Sequence, residues 1–140
     1  MKLYHGSPKK LKVLNPKKAK GLDEFENQKA IFLVNDFDYA ARYAIGKTLK
    51  GKTSFGVGQK KLIIVGNLKP KEGYVYEVEL DKNNLSKGKA EQYSYSKQIK
   101  NFKITKIYPK NYEKDIIYVK DVEKLRKRLG IKEVITKWTT

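Results

Sequence analysis

The spacing of apolar residues predicts a series of short strands, interrupted by one well-marked helix and closed by a second. The clearest block runs from Lys29 to Gly46. Ala30 to Val34 is an apolar run of strand length, and Asn35-Asp36 supplies a turn with two residues suited to cap a helix. From there Phe37, Ala40, Ala41, Ala44 and Ile45 recur at i, i+3, i+4, i+7 and i+8, which predicts a helix with one buried face. Gly46 stands where a C′ glycine ends such a helix. Tyr39 and Tyr43 lie one turn apart on a second face. Their rings either close the edge of the core with the hydroxyls in water, a common use of tyrosine, or face a ligand.

The rest of the chain is read against that block. Lys2 to His5 reads as an opening strand with Leu3 and His5 on one face and Tyr4 on the other, broken by Gly6-Ser7-Pro8. Residues 9–22 read as a lysine-rich connector, 23–28 as an acidic surface loop, and 46–61 as a loop rich in Gly and Lys. Leu62 to Val65 is a buried strand, followed by a turn to Gly73. Tyr74 to Leu80 alternates, with Val75, Glu77 and Glu79 opposite Tyr74, Tyr76, Val78 and Leu80, which predicts a strand with one face in water. Further strands are expected over Glu91 to Ser96, Ile99 to Tyr108 and Ile116 to Val119. Asp121 caps a last helix, with Val122, Leu125 and Leu129 on one side and Gly130 as its stop, and Ile131 to Ile135 adds an edge strand. A strand, a helix and then mostly antiparallel-type strands make an α+β fold, here one domain over residues 1–140.

Charge changes the picture most. The 32 Lys+Arg against 15 Asp+Glu give a net charge of +17, which favours polyanionic partners such as nucleic acid, nucleotide phosphates or an anionic membrane surface. The only arginines are Arg42, Arg126 and Arg128, so the bidentate phosphate and base readers are scarce and the coat is lysine. The absence of cysteine excludes disulfides and thiolate chemistry, and a single histidine excludes multi-histidine metal sites. No carboxylate spacing suggests a cation loop, so no metal is expected. No apolar run reaches membrane-spanning length and the first residues lack a signal-peptide pattern, so the expectation is a soluble cytoplasmic protein without a membrane partner.

Gly46 to Thr53 reads Gly-Lys-Thr-Leu-Lys-Gly-Lys-Thr and matches the phosphate-loop pattern GxxxxGK[ST]. That motif works only where a buried strand feeds the loop and a helix starts at its lysine, so that amides converge on phosphate. Here a helix precedes the loop, and Ser54 to Gln59 is too rich in glycine to be the helix that should follow. The match is read as chance in a Gly- and Lys-rich segment, and the segment as a mobile basic loop bordering a site.

Tyr4-His5-Gly6-Ser7, together with Phe32 to Tyr43, resembles the ADP-ribosyltransferase fold family. The branch it is similar to holds the rifampin ADP-ribosyltransferases and, more distantly, the poly(ADP-ribose) polymerases. That family opens on a strand with Tyr-His-Gly-Thr/Ser. Its second motif is a strand ending in Tyr-Phe, then a helix with a small residue and an aromatic. The pattern Lys-x-Val-Tyr-Phe-x-x-x-Leu-Asp-x-Ala runs without a gap over Lys29 to Ala40, and Tyr43 lies where the polymerases carry a second tyrosine of the nicotinamide pocket. Glu91, with Tyr93 and Tyr95, approximates the acidic third motif.

The resemblance implies a split β-sheet core with few helices, NAD as substrate, and a contact set of Tyr4, His5, Gly6, Ser7, Phe32, Tyr39 and Tyr43. His5 would bond the adenosine ribose, the Gly6 backbone would hold the nicotinamide carboxamide, and Phe32 and Tyr43 would sandwich the nicotinamide ring. Glu91, catalytic with His5, would steady the oxocarbenium-like ribose and polarise the acceptor. The chemistry is coherent, because loss of nicotinamide builds positive charge on the ribose C1′ that a carboxylate stabilises, while aromatic faces suit a cationic ring. The acceptor is unassigned, with nucleic acid a candidate.

Phe32 replaces the family's usual Tyr, and Ala40 stands where the polymerases have a Ser that bonds the carboxamide. Glu77 and Glu79 are alternative carboxylates, though a solvated strand face accounts for them. The alternative from another class is a catalytically silent nucleotide- or nucleic-acid-binding member of the fold. The related NAD-dependent RNA 2′-phosphotransferases share the opening His but rely on further His and Arg residues that this chain lacks.

Overall fold

The computed structural model describes residues 1–18, 29–58, 60–88, 92–129 and 134–135. In chain order the strands are β1 (Lys2–Ser7), β2 (Lys17–Lys18), β3 (Lys29–Val34), β4 (Phe55–Gly58), β5 (Lys61–Val65), β6 (Gly73–Glu79), β7 (Ser86–Lys87), β8 (Gln92–Tyr95), β9 (Lys103–Ile107), β10 (Ile116–Val119) and β11 (Val134–Ile135). The α-helices are α1 (Phe37–Gly46) and α2 (Val122–Leu129), with 3₁₀ turns at Lys47–Leu49, Lys82–Asn84 and Pro109–Asp115. The fold is α+β, as the strand and helix order predicts.

Two sheets share these strands. The larger runs β7-β8-β3-β1-β6-β9 with β2 also on β3; the smaller runs β10-β5-β4-β11. All the pairings are antiparallel except β10 with β5, which is parallel. Among the described residues no helix is long and apolar enough to cross a membrane.

The helix α1 sits between the sheets. Asp36 caps it, its Oδ1 accepting the Tyr39 N–H at 3.1 Å. Ala40, Ala41, Ile45 and Leu49 bury against Phe55, Val57, Leu62 and Ile64 of the small sheet and Val75 and Ile107 of the large one. Small residues bring the backbones together. A Cβ on Gly6 would lie 2.3 Å from the Ala40 carbonyl oxygen, and one on Gly73 would lie 2.9 Å from Ala44. Only glycine fits where α1 crosses β1 and β6.

The opposite face of the large sheet carries a second core. Leu3, Leu14, Ile31, Leu33, Tyr76, Val78, Tyr93 and Ile99 bury together there. On the outer face of the small sheet, α2 buries Leu125 against Ile63 and Val119.

Several sequence readings are corrected. The first strand continues through Gly6 and Ser7, because Gly6 is a contact with α1 and not a break. Gly46 is the last residue of α1 with φ −60°, not an αL cap. It is glycine because a Cβ would meet Leu62 and Phe55 at 2.9 and 3.0 Å. The expected loop 46–61 contains the fully buried strand β4. β6 is covered on both faces over most of its length, Val75 by the core around α1 and Tyr76 and Val78 by the second core, so on the expected water face only Glu77 in part and Glu79 at the strand end are exposed. β9 is shorter than its apolar pattern suggests, since Ile99 forms an isolated bridge with Leu14 instead. The phosphate-loop match has no structural counterpart: α1 leads into it, and the Thr53 hydroxyl donates to the Val65 carbonyl at 2.6 Å. The acidic stretch 23–28, Gly130 and Glu91 lie outside the described residues.

Candidate functional site

β1 is tied to β6 along its whole length, from Lys2↔Glu79 to Ser7↔Tyr74. With β3 it registers at Tyr4↔Val34. One residue further along β1 the next link between the strands is a side chain. His5 Nδ1 lies 2.9 Å from the Phe32 carbonyl oxygen. Further down β3, Ala30 and Lys29 pair with Lys17 and Lys18 of β2. The strands β1 and β3 therefore part beyond Tyr4, and His5 stands where they do.

A carbonyl oxygen only accepts, so His5 donates from Nδ1–H. That fixes the tautomer and leaves Nε2 with a lone pair, an acceptor for a hydroxyl. Burial lowers the His5 pKa from its ordinary value of 6.5, the Phe32 hydrogen bond opposes this, and the charges of Lys47 and Lys17 lower it further. The net lowering favours the neutral ring.

Sequence reasoning singled out neither lysine, although it read the segment that holds Lys47 as a basic loop bordering a site. Lys47 follows α1 directly and stands four residues, one helical turn, beyond Tyr43; its ammonium lies 5.4 Å from the Tyr43 ring centroid. Burial lowers its pKa. Lys50, which is exposed, is lowered by desolvation and then by the charges of Lys47 and Lys17. Among the described residues none of these three is in an ion pair with a carboxylate. A cluster of cations, partly desolvated and without a carboxylate partner among the described residues, suits a phosphate-bearing ligand. The i+4 spacing from Tyr43 was the available signal, lost in a chain where lysine is everywhere.

The remaining predicted residues fall as follows. Gly6 is buried against α1. Ser7 is buried, its Oγ accepting the Lys9 N–H at 3.2 Å. Tyr4 packs edge-on to Phe37 with centroids 5.5 Å apart. Phe32 is half-buried, and strand alternation places it with Val34 on the face that α1 covers. Tyr39 and Tyr43 are partly buried and pack against that core, as expected of rings that close its edge. Burial raises the Tyr43 pKa, so it presents a neutral ring and a hydroxyl donor. His5, Phe32, Tyr43, Lys17 and Lys47 thus gather around the parting of β1 and β3.

Glu91 lies outside the described residues. The strand that follows it, β8, pairs directly with β3, at Val34↔Gln92 and Phe32↔Ser94. The alternative carboxylates are engaged elsewhere: Glu77 faces Lys2 at 4.0 Å, and Glu79 binds the N-terminal amine at 2.9 Å. Arg42 is buried in α1 and donates to Asp115 at 3.2 Å, so it is no surface reader of phosphates. Among the described residues no cluster of His, Asp or Glu suits a metal ion.

Comparison with protein-family models, curated proteins and solved structures finds no match.

Proposed function

We propose that the protein binds NAD in the crevice between β1 and β3 and transfers its ADP-ribose to an acceptor, releasing nicotinamide. The observation that carries the reading is His5 at the point where the strands part, donating from Nδ1 to Phe32 and keeping Nε2 free to accept. In this reading Nε2 takes a hydrogen bond from the adenosine ribose, and Lys17 and Lys47 face the diphosphate. Phe32 and Tyr43 flank the nicotinamide, and the Gly6 backbone holds its carboxamide. The bond from C1′ to the nicotinamide nitrogen breaks with its electron pair going to nicotinamide. The acceptor then bonds C1′ and loses a proton. Glu91 stabilises the cationic ribose and takes up or orients that proton.

A second reading is a member that binds the nucleotide without turnover. Ala40 favours it: the residue is 2 % exposed and its carbonyl is packed on Gly6, so the family's serine bond to the carboxamide has no equivalent there.

One experiment separates the two. Purified protein is mixed with NAD, and free nicotinamide is followed by chromatography beside His5→Ala and Glu91→Gln, with NAD binding measured by calorimetry. A transferase releases nicotinamide, and Glu91→Gln loses roughly 10²–10³ in rate, the scale for removing a transition-state electrostatic partner, while still binding NAD. Binding without release in wild type identifies the silent member. Absence of NAD binding overturns both.

A further inference from the structure

Another surface has chemistry of its own. β10 is an edge strand of the smaller sheet, and beside it lies a groove of about 420 Å³ lined by Tyr118, Val119, Lys120, Lys124 and Lys127. Among the described residues no carboxylate is in that lining. The Lys69 ammonium lies 4.4 Å from the centroid of the Tyr118 ring. Tyr118 is 37 % exposed. Lys69, Lys120, Lys124 and Lys127 are exposed, and none is in an ion pair among the described residues. Of the two acids beside the lining lysines in sequence, Asp121 is occupied as a cap, accepting the Lys124 N–H at 2.9 Å, and Glu123 is exposed and in no ion pair among the described residues.

We infer that this groove binds single-stranded nucleic acid, with Tyr118 stacking on a base and the lysines holding the phosphates on either side. An exposed aromatic set among cations is the arrangement such strands use, because every unpaired base offers a π-face and every linkage a charge. A duplex keeps its bases stacked inward and gives Tyr118 nothing. A bilayer needs a free apolar face, and α2 turns its own, Leu125, against Ile63 and Val119. The other exposed tyrosine, Tyr108, makes the contrast. Of the two lysines near its ring, Lys106 is paired with Glu72 at 2.9 Å and Lys110 is farther off at 5.8 Å from the centroid, and its cleft holds two carboxylates, Asp38 and the Arg42-paired Asp115. The groove is independent of the crevice, since strand binding is measured without NAD.

The test is fluorescence anisotropy with a labelled oligothymidylate of about twelve nucleotides, within the span that such surfaces cover, over a range of salt. Tyr118→Ala should weaken binding roughly tenfold with an unchanged salt slope, and Tyr118→Phe should keep the affinity. Changing Lys124 and Lys127 together to Gln should reduce the magnitude of the slope of log K against log salt by about 1.4, or about 0.7 for each phosphate no longer neutralised. The exposed pair Lys9 and Lys10, changed the same way, serves as the control. Equal losses from that control, wild-type affinity in Tyr118→Ala, or a duplex of the same length bound as well as the strand would each overturn the inference. A thermal melt accompanies each variant; should Tyr118→Ala melt early, Tyr118→Phe and the lysine pair decide.

Discussion

The crevice between β1 and β3 and the groove beside β10 both gather lysines with a tyrosine and, among the described residues, without carboxylate partners, yet their settings are opposite. At the crevice Lys47 lies over Tyr43 and is desolvated, and its charge reaches a half-buried histidine. In the groove Lys69 lies over Tyr118, and ring and ammonium both remain in water. Partial burial strengthens each charge–ligand contact and limits the space, which suits one discrete anion in one pose. Exposure leaves contacts weak and screened, which suits a polymer held by many of them at once. On the two proposals made above, the same residue types would suit two kinds of partner, with burial making the difference.

The contrast is tested most severely at the floor of the crevice. Gly6→Ala drives a Cβ into the Ala40 carbonyl, backbone against backbone, and should cost about 3 kcal/mol in a denaturant melt. Tyr118→Ala in the groove should change stability by no more than about 0.5 kcal/mol, as exposed substitutions do. Similar costs at the two positions would remove the distinction between a built site and an open surface.

Lys47→Met probes the crevice alone. It should weaken NAD binding about tenfold, the scale of a lost hydrogen bond to a charged group, and raise the His5 pKa by removing a positive neighbour. It should leave oligonucleotide binding in the groove unchanged. If NAD affinity is untouched, Lys47 does not face the ligand.

The smallest effect is a pH dependence. Because the folded His5 pKa is below its ordinary 6.5, the unfolded chain binds more protons as pH falls through 6.5. Stability is then lost from pH 6.5 downward until the folded value is passed, and it is fully present above 6.5. His5→Gln should flatten that part of the stability profile, measured by urea melts at stepped pH. A slope unchanged in His5→Gln would place the titration elsewhere.

The sequence carried the α+β order, the Asp36 cap, α1, and the strands β3, β5 and β10, because each is a run whose period or turn chemistry is local. It misled where neighbours decide. β6 alternates as a half-wet strand does, yet Val75 on the glutamate face is buried in the core around α1, and exposure is confined to Glu77 in part and to Glu79 at the strand end, which meet Lys2 and the N-terminal amine. β4 hides because Gly56 and Gly58 read as loop, although the pairing with β5 buries the strand. Of the site, His5, Gly6, Phe32 and Tyr43 were legible through the two family-like motifs. Lys17 and Lys47 were not, because nothing local marks one lysine among many; the parting of two strands brings them to His5.

The most direct test of the crevice uses the chain's single histidine, whose ring signals in a nitrogen-15 NMR spectrum need no assignment strategy. The spectrum first reports the tautomer, and a proton on Nδ1 is expected. NAD is then titrated in at neutral pH. Binding in the crevice should give a saturable movement of the His5 signals that is lost as the ring is protonated in acid. Signals that stay in place through a millimolar titration, with no heat of binding, would mean that NAD does not occupy the crevice.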